Sequence, residues 1–255
     1  MKIVVCIKQV VTRDWPLRVD ENNTWVTDHD ASFEMNEPDA YALEEALRLK
    51  EEYEAEVVVC SVGPERVLKV LREALARGAD RALHIQSDEL NDADPLMVAE
   101  ALALALRGEA ADLVLTGIQS NDQGFGQMGV ALAELLDIPH STIIMEVKFD
   151  GEDANWVRVK RELESGWFQW VGMPTPALLT IQSGINQLRY ATLKGIMAAK
   201  KKKIEKIDSP RRTAHQKISK LYVPEKAKKT NLIEGSATEA AGELVRLLRE
   251  DAVML

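Results

Sequence analysis

The chain has 255 residues, of which 46% are hydrophobic and 29% charged, a composition that supports one large or two small cores and excludes disorder as the main state. No apolar run approaches the roughly 18 residues of a spanning helix, the richest, Leu96 to Leu106, being broken by Glu100, so an integral membrane protein is excluded. The formal charge of -9 argues against non-specific nucleic-acid binding, yet 14 basic and 3 acidic residues lie between Gln187 and Thr230, a local +11, leaving 18 against 38, or -20, elsewhere.

The amino terminus reads as a mature first strand, because Lys8 follows only five apolar residues and no small-residue cleavage site is present. The first half then alternates short β-branched runs with helical patterns, which predicts a Rossmann-like α/β fold: a doubly wound, mostly parallel sheet covered on both faces. Strands are expected over Lys2 to Val10, Ala55 to Val62, Arg81 to Ile85 and Asp112 to Thr116. Cys6 and Cys60 fall inside such runs, so they are expected as buried thiols of a cytoplasmic protein, with no disulfide scaffold or thiolate metal site. The first helix is expected from Pro38 to Tyr53, with Ala40, Leu43, Ala46, Leu47 and Leu49 packed inward and Glu44, Glu45, Lys50, Glu51 and Glu52 on the opposite face. Others run from Gly63-Pro64-Glu65 to Gly78, from the N-cap and first-turn proline Asp94-Pro95 to Gly108, and over Gly126 to Leu136.

Two antiparallel hairpins extend this plan: Leu17 to Thr27, and Thr142 to Phe149 turning through Asp150 to Asp153 into Asn155 to Leu163. After a short strand, Pro174 to Gln182, apolar periodicity is lost and charge rises. The expected organisation is a nucleotide-binding domain over 1–182 and an extended C-terminal arm over 183–255, ending in an amphipathic helix, Thr238 to Arg249, that needs a surface to pack on.

The loop from Thr116 to Gly129 joins a buried strand to a helix and is rich in glycine and side-chain amides. In an open α/β sheet ligands sit at the carboxyl ends of the strands. Gly124, Gly126 and Gly129 let backbone approach a phosphate, and the free N–H groups and dipole of the following helix favour an anion. The loop is neither a P-loop nor a first-strand GxGxxG, so alone it reads equally well as a Gly-rich connection. Lys8-Gln9-Val10 and Ser61-Val62-Gly63 open onto the same crevice, where amides and small side chains suit an adenine and its ribose. Asn36, ahead of the first helix, reads first as an N-cap.

Catalytic apparatus is scarce. His29, His84, His140 and His215 are scattered, and no Ser-centred nucleophile elbow occurs, which argues against metal catalysis and triad hydrolysis. Glu162 and Glu164, ending a hairpin strand, read as structural or interface acids. Trp167, Phe168 and Trp170 suit either a flavin or nucleobase stack or a strand packed on a partner subunit, the second being favoured. Lys200 to Lys203 follow the apolar Gly195 to Ala199, a pairing that fits an arm recognising an acidic protein or a nucleic acid.

Together these residues resemble the β subunit of the electron-transfer flavoprotein family. The likeness covers essentially the whole chain: Val5-Cys6-Ile7-Lys8-Gln9-Val10, Met35-Asn36-Glu37-Pro38-Asp39, Ala74 to Asp80, Thr116-Gly117-Ile118-Gln119, Val159 to Gly166, Pro176 to Ile181 leading to Asn186, and Arg189 to Ala199 followed by four lysines. The resemblance implies a heterodimer whose α subunit holds the redox FAD, while this subunit contributes an α/β domain and an arm that embraces the partner. Such a subunit carries electrons from dehydrogenases, for example acyl-CoA dehydrogenases, to a quinone oxidoreductase or similar acceptor, and turns over no substrate itself. It implies a structural AMP, or a second FAD in electron-bifurcating members, held by Cys6, Ile7, Lys8, Asn36, Ser61, Gly63, Gly117, Gln119, Asp122, Gln123, Gly124, Phe125, Gly126, Gln127 and Met128. It further implies that Leu193 anchors a recognition loop for client dehydrogenases, with Ile196, Met197, Lys200, Lys201 and Glu162 as partner contacts. The loop Ser120 to Gln127 follows neither the AMP nor the bifurcating pattern cleanly, with AMP the favoured ligand, and Leu188 stands where many relatives place proline. Without the resemblance, the same residues fit a stand-alone nucleotide-binding regulator with an RNA-binding basic tail.

Overall fold

The computed structural model describes residues 1–87, 93–149, 155–209, 213–224 and 232–250. The chain separates into two compact units, Met1–Leu221 and Tyr222–Leu255. In the first, the elements run β1 (Lys2–Cys6), β2 (Gln9–Val11), β3 (Phe33–Met35), α1 (Glu37–Tyr53), β4 (Glu56–Gly63), α2 (Leu68–Arg77), β5 (Arg81–Gln86), α3 (Pro95–Leu106), β6 (Leu113–Gly117), α4 (Met128–Leu136), β7 (His140–Phe149), β8 (Trp156–Glu162), β9 (Phe168–Pro174), β10 (Ala177–Ile181), α5 (Leu193–Lys201) and β11 (Ile204–Asp208).

Among the described residues nine strands form one sheet in the order β11-β5-β4-β1-β6-β10-β7-β8-β9. It is parallel from β11 through β7 and antiparallel across β7-β8-β9. The continuous Val/Ile/Leu strands follow from burial on both faces. Ile3, Val5, Val57, Val59, Leu113 and Leu115 pack beneath α1 and α2, while the alternating Val4, Cys6, Val58, Cys60 and Val114 pack beneath α3 and α4. The chain leaves β1 toward β4 on one side and returns to β6 on the other, so a crevice opens past the carboxyl ends of β1 and β6.

Several expected elements are present with adjusted ends. The helix expected from Gly63 starts as a 3-10 turn, Glu65–Val67, before α2, and Asp94 caps α3 by accepting from the Met97 N–H at 2.8 Å. The first expected strand breaks after Cys6: Gln9–Val11 pairs instead with Phe33–Met35 as a separate antiparallel ribbon. The Leu17 to Thr27 hairpin reduces to one antiparallel bridge, Val19 to Val26, and the turn expected at Asp150 to Asp153 lies outside the described residues. Glu44 and Glu45, expected on the outward face of α1, are buried. They lie beneath the segment after β10, where Asn186 Nδ2 donates to Glu45 at 3.0 Å and Arg189 Nε to Glu44 at 2.9 Å.

Part of the stretch expected as an arm is regular. β11 extends the sheet beside β5 in parallel register. Thr192 caps α5, its hydroxyl accepting from the Gly195 N–H at 3.0 Å. A Cβ on Gly195 would lie 2.2 Å from the Ala76 carbonyl oxygen, so only glycine lets α5 approach α2 this closely. Arg72 closes the other end, donating to the carbonyls of Ala199 and Lys202. In the second unit, α6 (Ala237–Glu250) begins with a capping box, Ser236 and Glu239 exchanging hydrogen bonds, and carries Leu244 and Val245 exposed.

Candidate functional site

The crevice at the switch point is a cavity of about 210 Å³. Its walls come from the ends of β1 and β4, the amino ends of α1, α3 and α4, and the loop after β6. Of the residues expected to bind a cofactor, Cys6, Ile7, Lys8, Asn36, Ser61, Gly117, Gln119, Asp122, Gln123, Phe125, Gly126, Gln127 and Met128 line it, and Gly63 and Gly124 do not. The Gly63 carbonyl instead meets His84 Nε2 at 2.8 Å.

Asp39, which the sequence offered only within the Met35-Asn36-Glu37-Pro38-Asp39 motif, holds the crevice together. Its two oxygens accept from the Lys8 N–H at 2.8 Å and the Gly117 N–H at 2.9 Å, so one buried carboxylate joins the ends of β1 and β6. A Cβ on Gly117 would sit 2.4 Å from Asp39 Oδ1 and 2.6 Å from Pro38 Cβ, which is why glycine ends β6. Burial pushes the Asp39 carboxyl up to about 6, against the two backbone donors and the Asn36 amide. A signal for it existed: Asp39 shares the inward face of α1 with Leu43, Ala46 and Leu47, and an acid on an apolar stripe marks a buried charge.

Asn36 occupies the N-cap position of α1, but its side chain makes no cap hydrogen bond. The cap reading is therefore corrected. Its amide spans the crevice, Nδ2 donating to the Gln119 carbonyl at 3.0 Å and Oδ1 accepting from the Asn121 N–H at 2.9 Å. Lys8 reaches the same loop, its ammonium donating to Asp122 at 2.7 Å and Gln123 Oε1 at 3.0 Å. Burial pushes the Asp122 carboxyl up, but Lys8 outweighs it and holds the carboxyl below the usual range. The Gly-rich loop is thus tied down at Gln119, Asn121, Asp122 and Gln123 before the chain enters α4.

Two features leave polar groups facing the cavity. α4 has no side-chain cap, and Met128 and Gly129 of its first turn line the cavity, an end of a helix that favours an anion. Ser61 Oγ, on β4, is buried with no hydrogen-bond partner among the described residues. An orphaned hydroxyl and an uncapped helix in the lining of one cavity fit a ligand with hydroxyl and phosphate oxygens. Cys6 and Cys60 are free and buried, their sulfurs 3.5 Å apart, on the apolar face beneath α3 and α4 with Val98 and Leu102. Among the described residues no cluster of three or more His, Cys, Asp or Glu side chains could hold a metal. Trp25 and Arg66 also line the cavity; neither carries a periodicity or motif that would single it out from sequence.

The expected partner residues form separate surfaces. Leu193 is 83% exposed, beside Tyr190 at 92%, with Ile196, Met197, Lys200 and Lys201 also exposed along α5. Glu162 accepts from Gln182 Nε2 at 3.2 Å. Trp156, Phe168 and Trp170 are exposed on β8 and β9, with Arg158 over Trp170 and Lys160 over Phe168, and the adjoining Trp167 is 72% exposed.

The model of the electron transfer flavoprotein domain matches residues 24–211. The chain belongs to the electron transfer flavoprotein subunit beta family. It is 36% identical to electron transfer flavoprotein subunit beta of Methylophilus methylotrophus, covering 98% of both chains. It is 35% identical to that of Homo sapiens, over 98% of this chain and 97% of the relative, and 38% identical to the mitochondrial protein of Oryza sativa subsp. japonica, over 100% of both. Among the described residues no helix is long and apolar enough to cross a membrane.

Proposed function

We propose that this chain is the β subunit of a heterodimeric electron carrier, pairing with an electron transfer flavoprotein α subunit that holds the redox FAD, and that its own cavity carries an adenine nucleotide, AMP rather than a second FAD. The family membership supports the first part. The observation that carries the second is the cavity at the switch point, with its uncapped α4 amides and the orphaned Ser61 hydroxyl. The nucleotide is structural: its phosphate oxygens take the α4 N–H groups and its sugar hydroxyls meet the Ser61 side of the wall. No general acid, base or nucleophile is required of this subunit, which takes electrons from dehydrogenases and hands them to a quinone oxidoreductase or similar acceptor through the partner's flavin. In favour of AMP, Phe125, an exposed aromatic, stands in the cavity wall and takes room that a larger dinucleotide needs.

Two surfaces serve partners in this reading. The exposed aromatic face of β8 and β9, with α6 of the second unit, packs on the α subunit. The apolar prong Tyr190 to Met197, flanked by Lys194, Lys200 and Lys201, enters an acidic-rimmed pocket on client dehydrogenases. Leu193→Ala is expected to slow reduction of the complex by a client dehydrogenase about fivefold to thirtyfold, through the loss of roughly 1–2 kcal/mol at an interface anchor, with no change in thermal midpoint because the side chain touches little in this subunit. Steady-state kinetics against client concentration, with calorimetry alongside, checks this; unaltered kinetics would remove Leu193 from the docking role. The reading as a whole is tested by co-expression with an α subunit. A yellow complex whose flavin bleaches with a dehydrogenase and its substrate is expected, and a colourless, monomeric chain that never associates would overturn it.

A further inference from the structure

Arg66 precedes α2 and lines the cavity at its solvent edge. It is held in place from two sides by the β2–β3 ribbon. Its guanidinium lies 3.9 Å over the Phe33 ring, Nη1 donates to Gln9 Oε1 at 2.6 Å, and its backbone carbonyl accepts from Gln9 Nε2 at 3.0 Å. Such a mount fixes a planar, charged fork at low entropic cost, with Nη1 its one side-chain donor engaged among the described residues.

The charge balance around it is uneven. Lys8, another cation of the cavity, is neutralised by Asp122 at 2.7 Å, and Asp39 is engaged by backbone N–H groups. Arg66 meets no carboxylate within ion-pair distance among the described residues. Burial disfavours the cation and pulls its pKa down, while the fields of Asp28 and Asp122 oppose it. Arg66 lines the same cavity as Asp122 of the Gly-rich loop and Met128 of the α4 amino end. A guanidinium mounted by Phe33 and Gln9 in the lining of a cavity that also holds the uncapped amino end of α4 suits a tetrahedral oxyanion.

We propose that Arg66 reads the phosphate charge of the bound nucleotide, so that the cavity selects a nucleoside phosphate over the nucleoside itself. The inference rests on the nucleotide reading of the cavity given above. It also assigns a purpose to the β2–β3 ribbon, whose Gln9 and Phe33 position the guanidinium.

The test uses the heterodimer, freed of nucleotide by mild chaotrope and gel filtration, titrated with AMP and with adenosine and followed by thermal midpoint and calorimetry. The unaltered complex is expected to bind AMP more tightly than adenosine, by a margin that narrows with salt. Arg66→Gln is expected to cut the AMP-to-adenosine ratio by about tenfold or more, the scale of a lost charge-assisted hydrogen bond, while leaving adenosine binding unchanged. Arg66→Lys should restore part of it, since the charge returns without the fork. Because the ratio is taken within each variant, a general loss of stability does not mimic the effect. An Arg66→Gln complex that keeps the full ratio, or one that loses both ligands equally, overturns the proposal. An unaltered complex that binds neither ligand removes the nucleotide reading, and this inference with it.

Discussion

Asp39→Ala is expected to lower the unfolding free energy of the subunit by about 2–4 kcal/mol and to release the bound nucleotide. The carboxylate is the acceptor for both the Lys8 and the Gly117 N–H groups, and each buried donor left without an acceptor costs roughly 1–3 kcal/mol. Its loss also unties the ends of β1 and β6, between which the cavity opens. The pH dependence has an unusual sign. Burial raises the folded carboxyl from 3.8 to about 6, so between those values the folded state holds a proton that the unfolded state has lost. Stability from this group therefore rises as pH falls from 7.5 through 6 toward 4, by up to on the order of 3 kcal/mol. Carboxyls held low, such as Asp94, Glu109 and Asp122, act in the opposite direction, so the comparison must be made between the two proteins at each pH. Urea titrations at pH 7.5, 6.5 and 5.5 should show the gap between parent and Asp39→Ala widening with acid. A gap that narrows instead would mean that the two N–H donors outweigh burial and hold the carboxyl low.

Arg189→Ala is expected to be the most damaging change outside the cavity. Glu44 is only 5% exposed, and the guanidinium meets it through Nε at 2.9 Å and Nη2 at 2.9 Å while also reaching Glu51 at 2.5 Å. Glu51 and Glu44 push the Arg189 pKa up. Glu51 is largely exposed, so its share is small. Removing the arginine strands Glu44 as an uncompensated buried charge, at a cost of about 3 kcal/mol or more. It also frees the base of the Tyr190 to Leu193 prong, which the Arg189–Glu44 pair fixes to α1 at one end and the Gly195–Ala76 contact fixes to α2 at the other. Lysine should not rescue it, because a point charge cannot reproduce the fork. The added change Glu44→Gln should recover part of the loss, and the double-mutant cycle measures the coupling. A loss below about 0.5 kcal/mol would show the pair to be no better than an ordinary surface bridge.

The parallel core was legible because its determinants are local. Val57 to Cys60 and Leu113 to Leu115 are buried on both faces and therefore read as unbroken apolar runs, and helix boundaries at Asp94-Pro95 and Gly78 carry their own punctuation. What escaped depends on partners distant in sequence. Gln9–Val11 and Phe33–Met35 are three residues each, too short for a period, and exist as strands only because they find each other. β11, Ile204-Glu205-Lys206-Ile207-Asp208, follows a run of lysines and lacks strict alternation, yet it completes the sheet edge beside β5. Glu44 and Glu45 obeyed the helical stripe rule for a solvated face, and their burial follows from Asn186 and Arg189, some 140 residues on.

The cavity divides the same way. Its position followed from the switch-point rule and its glycine-rich loop from composition, so most of its lining was named in advance. The side chains that hold it in shape were harder. Asn36 sits where a cap belongs, and only the crossing to Gln119 and Asn121 reveals that its amide serves the loop instead. Arg66 looks like any helix-start arginine until Phe33 and Gln9 are seen to grip it.

The most direct measurement of the account is to co-purify the chain with its α subunit, denature the heterodimer, and identify and quantify the released nucleotides by chromatography and absorbance. One FAD and one AMP per heterodimer is the predicted result. Two FAD and no AMP would overturn the ligand assignment and move a flavin into this cavity, and FAD alone at one per heterodimer would contradict the claim that this subunit carries a nucleotide at all.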